Sequence, residues 1–112
     1  MRVTITGGAG FLGRKVAARL ALTGHVGKRP ITAMTLFDVV PPKPPQGAGF
    51  PVTCLIGDIA NPADVGAMVD RETGVVFHLA AVVSAQAEAD FDLGWRVNLD
   101  GTRAVLEACR AA

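Results

Sequence analysis

The sequence predicts an α/β fold, a parallel β-sheet covered by helices on both faces. Three observations carry that expectation. Short apolar runs of strand length alternate with segments of helical periodicity along the 112 residues. Several of the runs, such as Val75 to Leu79, are apolar at nearly every position, as strands buried on both faces are. A glycine-rich turn, Thr6-Gly7-Gly8-Ala9-Gly10-Phe11-Leu12-Gly13, joins the first run to the first helical segment.

Residues 1–6, containing Val3-Thr4-Ile5, read as the first strand, and 10–22 as a helix with Leu12, Val16, Ala17 and Leu20 on one face. Thr23 to Pro30 is a polar loop in which His25 faces solvent. Thr32 to Asp38 forms the second strand, closed by the proline-rich Pro41 to Pro45, a mobile surface connection. Val52 to Ile56 is the third strand. Asn61-Pro62 opens a short helix, Asn as N-cap and Pro at the first helical position, with Val65, Met68 and Val69 turned inward. Val75 to Leu79 is the fourth strand and Phe91 to Cys109 the last helix. Right-handed crossovers place the strands in the order 3-2-1-4, one half of a Rossmann-type dinucleotide fold.

Half the residues are hydrophobic and 19% are charged, which suits a globular chain with room for one domain, residues 1–112. The formal net charge of +1 gives no reason to expect nucleic acid or an anionic membrane as partner. No apolar run is long enough to span a bilayer and no cleavable leader precedes the first strand, so a cytoplasmic protein is expected. Cys54 and Cys109, far apart and without a C-x-x-C pair, fit reduced thiols in a packed interior and no metal site. The composition contains no tyrosine.

The glycine turn is where a dinucleotide's phosphates would sit. Gly7 and Gly10 let the backbone turn sharply and approach a pyrophosphate, Gly13 lets the helix lie close on the first strand, and the helix N-terminus offers free N–H groups and a positive dipole end. Its spacing is G-x-x-G-x-x-G. Asp38 ends the second strand 25 residues after Gly13, beyond the usual interval of about 20. A carboxylate there accepts from both adenosine ribose hydroxyls and repels a 2′-phosphate. Because Val39 and Val40 follow it, NAD is expected over NADP; a solvated strand-end Asp is the plainer alternative.

Asp58, in Gly57-Asp58-Ile59, lies at the same sheet edge and suits the adenine amino group with Ile59 on the ring, or else a turn or cap before the next helix. Leu79, Ala80 and Ala81 follow the fourth strand where small residues admit a ribose, and His78 reads as a hydrogen-bonded core histidine. Ser84 is a candidate substrate contact, with Gln86 and the acidic Glu88, Asp90 and Asp92 nearby. In the last helix Phe91, Trp95, Leu99, Thr102, Leu106 and Cys109 form the core stripe, on which Asn98 falls, and Val97, Ala104, Val105, Ala108 and Ala111 form a second apolar surface. That amide either ties helix to strand or holds a water beside the cofactor.

TGGAGFLG, Asp38, Gly57-Asp58-Ile59, the HLAA of 78–81 and Asn98-Leu99-Asp100-Gly101-Thr102 together resemble the N-terminal part of the extended short-chain dehydrogenase/reductase family, the epimerase and dehydratase group. Residues 80–110 resemble its D-erythronate dehydrogenase branch more closely. The resemblance implies that the glycine loop, with Phe11 and Leu12, and Asp38 hold NAD, that Asp58 and Ile59 hold adenine, and that Asn98 is the tetrad asparagine. It covers about the first third of a family member. The family's Tyr-x-x-x-Lys pair is therefore expected beyond residue 112, as is most of the substrate pocket. The implied intact enzyme is a homo-oligomer, a dimer, oxidising a hydroxyl of a small sugar acid such as D-erythronate. Three alternatives stay open: an epimerase or dehydratase fragment, a non-catalytic NAD-binding redox sensor, and a structural half completed by a partner chain.

Overall fold

A computed structural model describes residues 1–82 and 84–112, and the side chain of Ser84 is outside the described residues. Four parallel strands form the main sheet: β1 (Arg2–Thr6), β4 (Ala33–Asp38), β5 (Val52–Ile56) and β6 (Thr73–His78), in the spatial order β5-β4-β1-β6. This is the 3-2-1-4 arrangement expected from the crossovers. Val3 pairs with Met34 on one side and Val75 on the other. The β1–β6 register slips once, between Arg2 and Val3, where Gly74 is the extra residue. A Cβ there would lie 2.6 Å from the Met1 sulfur, so the bulge and the glycine belong together.

Alternation along β1 sorts the core into two layers. Val3 and Ile5 pack with Met34, Leu36, Ala17 and Leu20 beneath α1 (Phe11–Thr23). On the other face lie Phe37, Ile59, Val65, Met68, Val69 and Val105, beneath α2 (Pro62–Gly66) and α5 (Gly101–Ala111). Thr4 and Thr6 point the same way and are fully buried, which is tolerable because both hydroxyls are bonded; Thr4 Oγ1 donates to the Met68 carbonyl at 2.8 Å.

The N-cap of α2 is as expected: Asn61 Oδ1 accepts from the Ala63 N–H at 3.0 Å, with Pro62 following. α1 closes on Gly24, whose φ of 78° and N–H to the Leu20 carbonyl form a left-handed cap. The polar loop after α1 contains a two-rung antiparallel hairpin, β2 (His25–Val26) and β3 (Arg29–Pro30), turned at Gly27.

Four expectations are corrected. The last helix runs unbroken from Phe91 to Ala111 but is not α-helical throughout: α4 (Phe91–Gly94) passes through a π-helical turn over Trp95–Asp100 into α5, and a separate short helix, α3 (Ser84–Ala89), precedes it. Its inward face is also the opposite one. Phe91, Trp95, Leu99, Leu106 and Cys109 are exposed, whereas Gly94, Gly101 and Val105 are buried and Val97, Ala104 and Ala108 pack on the core. The cause is close approach: Cβ atoms at Gly101 and Gly94 would lie 2.8 Å from Ile59 Cγ2 and from the Ala87 Cβ, so only a face of small residues fits. Cys109 is thus a surface thiol and Cys54 a half-buried one, its pKa raised by burial. Leu12 also turns outward, leaving Gly13, Ala17, Leu20 and Ala21 as the buried face of α1.

Candidate functional site

The carboxyl ends of β1, β4 and β6 open onto a cleft of about 510 Å³, within the range of small-molecule sites. Gly7 and Gly10 form its floor, Asp38, Asp58 and Ile59 one wall, Leu79, Ala80 and Ala81 another, and Arg96 and Val97 close it from the π-helix. Sequence-separated candidates thus meet at the switch point of the sheet.

The glycines have separable reasons. Gly7 has φ +71°, and a Cβ there would press on the Leu79–Ala80 peptide at 2.9 Å. At Gly13 a Cβ would lie 2.1 Å from the Gly7 carbonyl oxygen, so the fold forbids one. Gly10 is different: φ −79° and ψ 172° suit any residue, and a Cβ would approach only the Gly7 carbonyl, at 3.3 Å. The dihedral angles there do not call for glycine, and a Cβ would require only that the Gly7 carbonyl give by a few tenths of an ångström. Gly10 also caps α1 without a side-chain bond, and the first-turn N–H groups of Phe11, Leu12 and Gly13 have no intrahelical acceptor. Phe11 and Leu12, whose side chains are 73% and 56% exposed, are not among the residues that line the cleft.

Asp38 does more than end a strand. Its Oδ2 accepts from the Ala9 N–H at 2.9 Å and its Oδ1 from the Val39 N–H at 2.7 Å, so the carboxylate pins the glycine loop to β4 while still facing the cleft. Asp58 makes the turn its bland alternative called for, with Oδ1 accepting from the Ala60 N–H at 2.9 Å. It also pairs with Arg96, Nη1 to Oδ2 at 2.6 Å, a contact with no local signal among the residues.

His78 is held in a directional chain. Thr102 Oγ1 donates to the Asn98 carbonyl at 2.7 Å, so it must accept from His78 Nε2 at 3.0 Å. Thr6 Oγ1 accepts from the Leu79 and Ala80 N–H groups at 3.0 and 3.1 Å, which leaves its proton for His78 Nδ1 at 2.8 Å. The imidazole is therefore neutral with its proton on Nε2, and burial lowers its pKa from 6.5. This is the core histidine expected, and the chain braces two peptide groups that line the cleft.

Asn98 is exposed and beside the cleft, among Phe91, Trp95 and Leu99, not within the cleft lining. Its Oδ1 accepts from the Val82 N–H at 2.7 Å and its Nδ2 donates to the Val82 carbonyl at 3.1 Å, a two-point tie to the segment after β6. Ser84, the substrate candidate, falls outside the described side chains, while Gln86 on α3 does border the cleft.

No helix among the described residues is long and apolar enough to cross a membrane. The chain is 52% identical, over 98% of its length, to D-erythronate dehydrogenase of Cupriavidus necator, of which it spans 35%. Its structure superposes on a nucleoside-diphosphate-sugar epimerase from Agrobacterium tumefaciens with TM-score 0.90 at 42% identity, covering 96% of this chain and 32% of that one. A mutant uronate dehydrogenase from the same organism, complexed with NAD, gives TM-score 0.77 at 31% identity, covering 98% and 36%. The chain thus spans about a third of the proteins it matches. Its residues 4–112 match the model of the 3-beta hydroxysteroid dehydrogenase/isomerase family, and the chain belongs to that family, within the extended short-chain dehydrogenase/reductases its motifs resemble.

Proposed function

We propose that residues 1–112 are the NAD-binding part of a dehydrogenase that oxidises a hydroxyl of a small sugar acid such as D-erythronate. The observation that carries this is Gly10, where the dihedral angles do not call for glycine, at the floor of a cleft beside a helix N-terminus. The first-turn N–H groups of α1 and the loop around Gly7 and Gly10 would take the pyrophosphate. Asp38, fixed by Ala9 and Val39, would accept from the adenosine ribose and disfavour a 2′-phosphate. Asp58 and Ile59 would border the adenine, and Leu79, Ala80 and Ala81 the second ribose. Bound NAD would supply the hydride acceptor. With no tyrosine in the chain, the residues here bind, orient and exclude water, and the proton of the hydroxyl is left to groups elsewhere in the enzyme. Identity to D-erythronate dehydrogenase supports the sugar-acid substrate over a nucleotide sugar. Asn98 would act at the substrate end, with its amide already oriented by Val82.

Calorimetric titration with NAD tests the reading. Gly10→Ala is expected to weaken NAD binding about tenfold or more while lowering stability by less than about 1 kcal/mol. Gly13→Ala is expected instead to cost roughly 3 kcal/mol by overpacking. Equal NAD affinity in a folded Gly10→Ala protein would refute the pyrophosphate assignment.

A further inference from the structure

The charges of this chain are divided along its length. Arg2, Arg14, Lys15, Arg19, Lys28 and Arg29 all precede Asp38, and all ten Asp and Glu residues lie from Asp38 onward. The charged side chains of α1 are therefore cations only, and they stand the wrong way round for its dipole: no acid is in its first turn and no base in its last. Lys15 deepens the mismatch. Its Nζ lies over the Phe11 ring, 5.2 Å from the centroid, which draws the ammonium back to the first residue of the helix, next to Gly10 at the cleft floor. The ring itself packs on neither core layer. Among the described residues neither Arg14 nor Lys15 pairs with a carboxylate. The cleft, by contrast, is short of positive charge. Its charged lining residues are Asp38, Asp58 and Arg96, and Arg96 is already paired with Asp58. The α3–α4 segment, which gives Gln86 and Leu93 to the lining, adds Glu88, Asp90 and Asp92. A dinucleotide, anionic at its pyrophosphate, meets side chains that are net negative.

We propose that Lys15 and Arg14 are steering residues: their field draws the anionic dinucleotide to the cleft and speeds its capture, at the expense of the stability of α1. The proposal rests on the dinucleotide reading above. Steering acts through space and needs no contact with the bound ligand, so it belongs to the association rate and disappears when salt screens it. It also scales with the charge of the ligand. Reduction removes the positive charge of the nicotinamide ring, so NADH is more negative than NAD and feels the stronger pull.

The test is stopped-flow association of NADH with the 112-residue chain, read by nicotinamide fluorescence, with NAD followed by competition. The wild type is compared with Lys15→Gln and with the double variant Arg14→Glu, Lys15→Glu. At about 0.01 M salt, where the Debye length is about 30 Å, the double variant is expected to capture NADH about tenfold more slowly, with an unchanged dissociation rate and a smaller loss for NAD. Lys15→Gln should slow capture by about twofold. At about 1 M salt, where the Debye length is about 3 Å, all three proteins should associate alike. Melts without ligand should find the double variant at least as stable as the wild type, because its new carboxylates suit the helix dipole; a purely structural role would give the opposite sign. Lys15→Gln carries the test should the double variant melt early. A wild-type association rate at low salt in the folded variants overturns the proposal, as does a loss confined to dissociation or one that persists at high salt. Each of those outcomes leaves the cofactor reading standing, since NADH still binds. Binding of neither dinucleotide by the wild type overturns both.

Discussion

At His78 the sign of a pH effect follows from proton counting. Both ring nitrogens are committed, one donating to Thr102 and the other accepting from Thr6, and burial disfavours the cation. Protonation would put a donor against the Thr6 hydroxyl proton and force that hydroxyl to give up the Leu79 or Ala80 N–H. Because the folded-state pKa lies below 6.5, the unfolded chain binds the proton first. Stability is therefore full above pH 6.5 and is lost as the pH falls through the lower folded value. Thermal melts across that range should show the fall in the wild type, and His78→Gln should flatten it. The sequence showed that His78 sits in an apolar strand, but not its partners: Thr6 and Thr102 are 96 residues apart and meet only through the fold. Asp38 was legible because it ends a strand after a glycine loop. Its grip on Ala9 was not, since backbone donors leave no mark in a sequence.

The helical segment from Phe91 onward shows how a correct periodicity can be assigned to the wrong side. Phe91, Trp95, Leu99 and Leu106 do share a face, but large side chains fit only where the neighbour stands off. Here the neighbour is close, and Gly94, Val97, Gly101 and Val105 form the packed side. Glycines and alanines one helical turn apart were the available signal for close packing, and hydrophobicity outweighed them. Val105→Ala, at a residue 4% exposed, should cost about 2 kcal/mol, and Leu106→Ala, at one 65% exposed, less than about 0.5 kcal/mol, both read from urea denaturation. The reverse order would show that the face of Phe91 and Leu106 is the packed one. The π-turn over Trp95–Asp100 leaves no mark in the hydrophobic periodicity. The start of α2 was legible, since Asn61 and Pro62 are local signals, but the helix ends at Gly66, before the buried Met68 and Val69.

For the molecule as a whole, strand order and cleft position followed from alternation and crossover handedness, rules that need no side-chain detail. The distribution of exposed apolar surface did not follow, because it turns on which helix face is covered. Phe91, Trp95, Leu99 and Leu106 leave a band of exposed hydrophobic surface, with Phe91 and Trp95 rings 6.0 Å apart. The 112-residue chain should therefore self-associate, with mass by light scattering rising and Trp95 emission shifting to the blue as concentration increases. A fixed monomer mass with an unshifted Trp95 spectrum would show that the band does not drive association.

The position of β1 has a consequence for when the chain can fold. It is synthesised before the other three strands of its sheet, yet it lies inside that sheet, with Arg2 paired to Ala33 on one side and Thr73 on the other. At the usual 5–20 residues per second, the ribosome takes roughly 4 to 14 s to pass from the end of β1 to the end of β6. For that interval Val3 and Ile5 lack one of their permanent neighbours, and the nascent chain depends on α1 folding early to cover them.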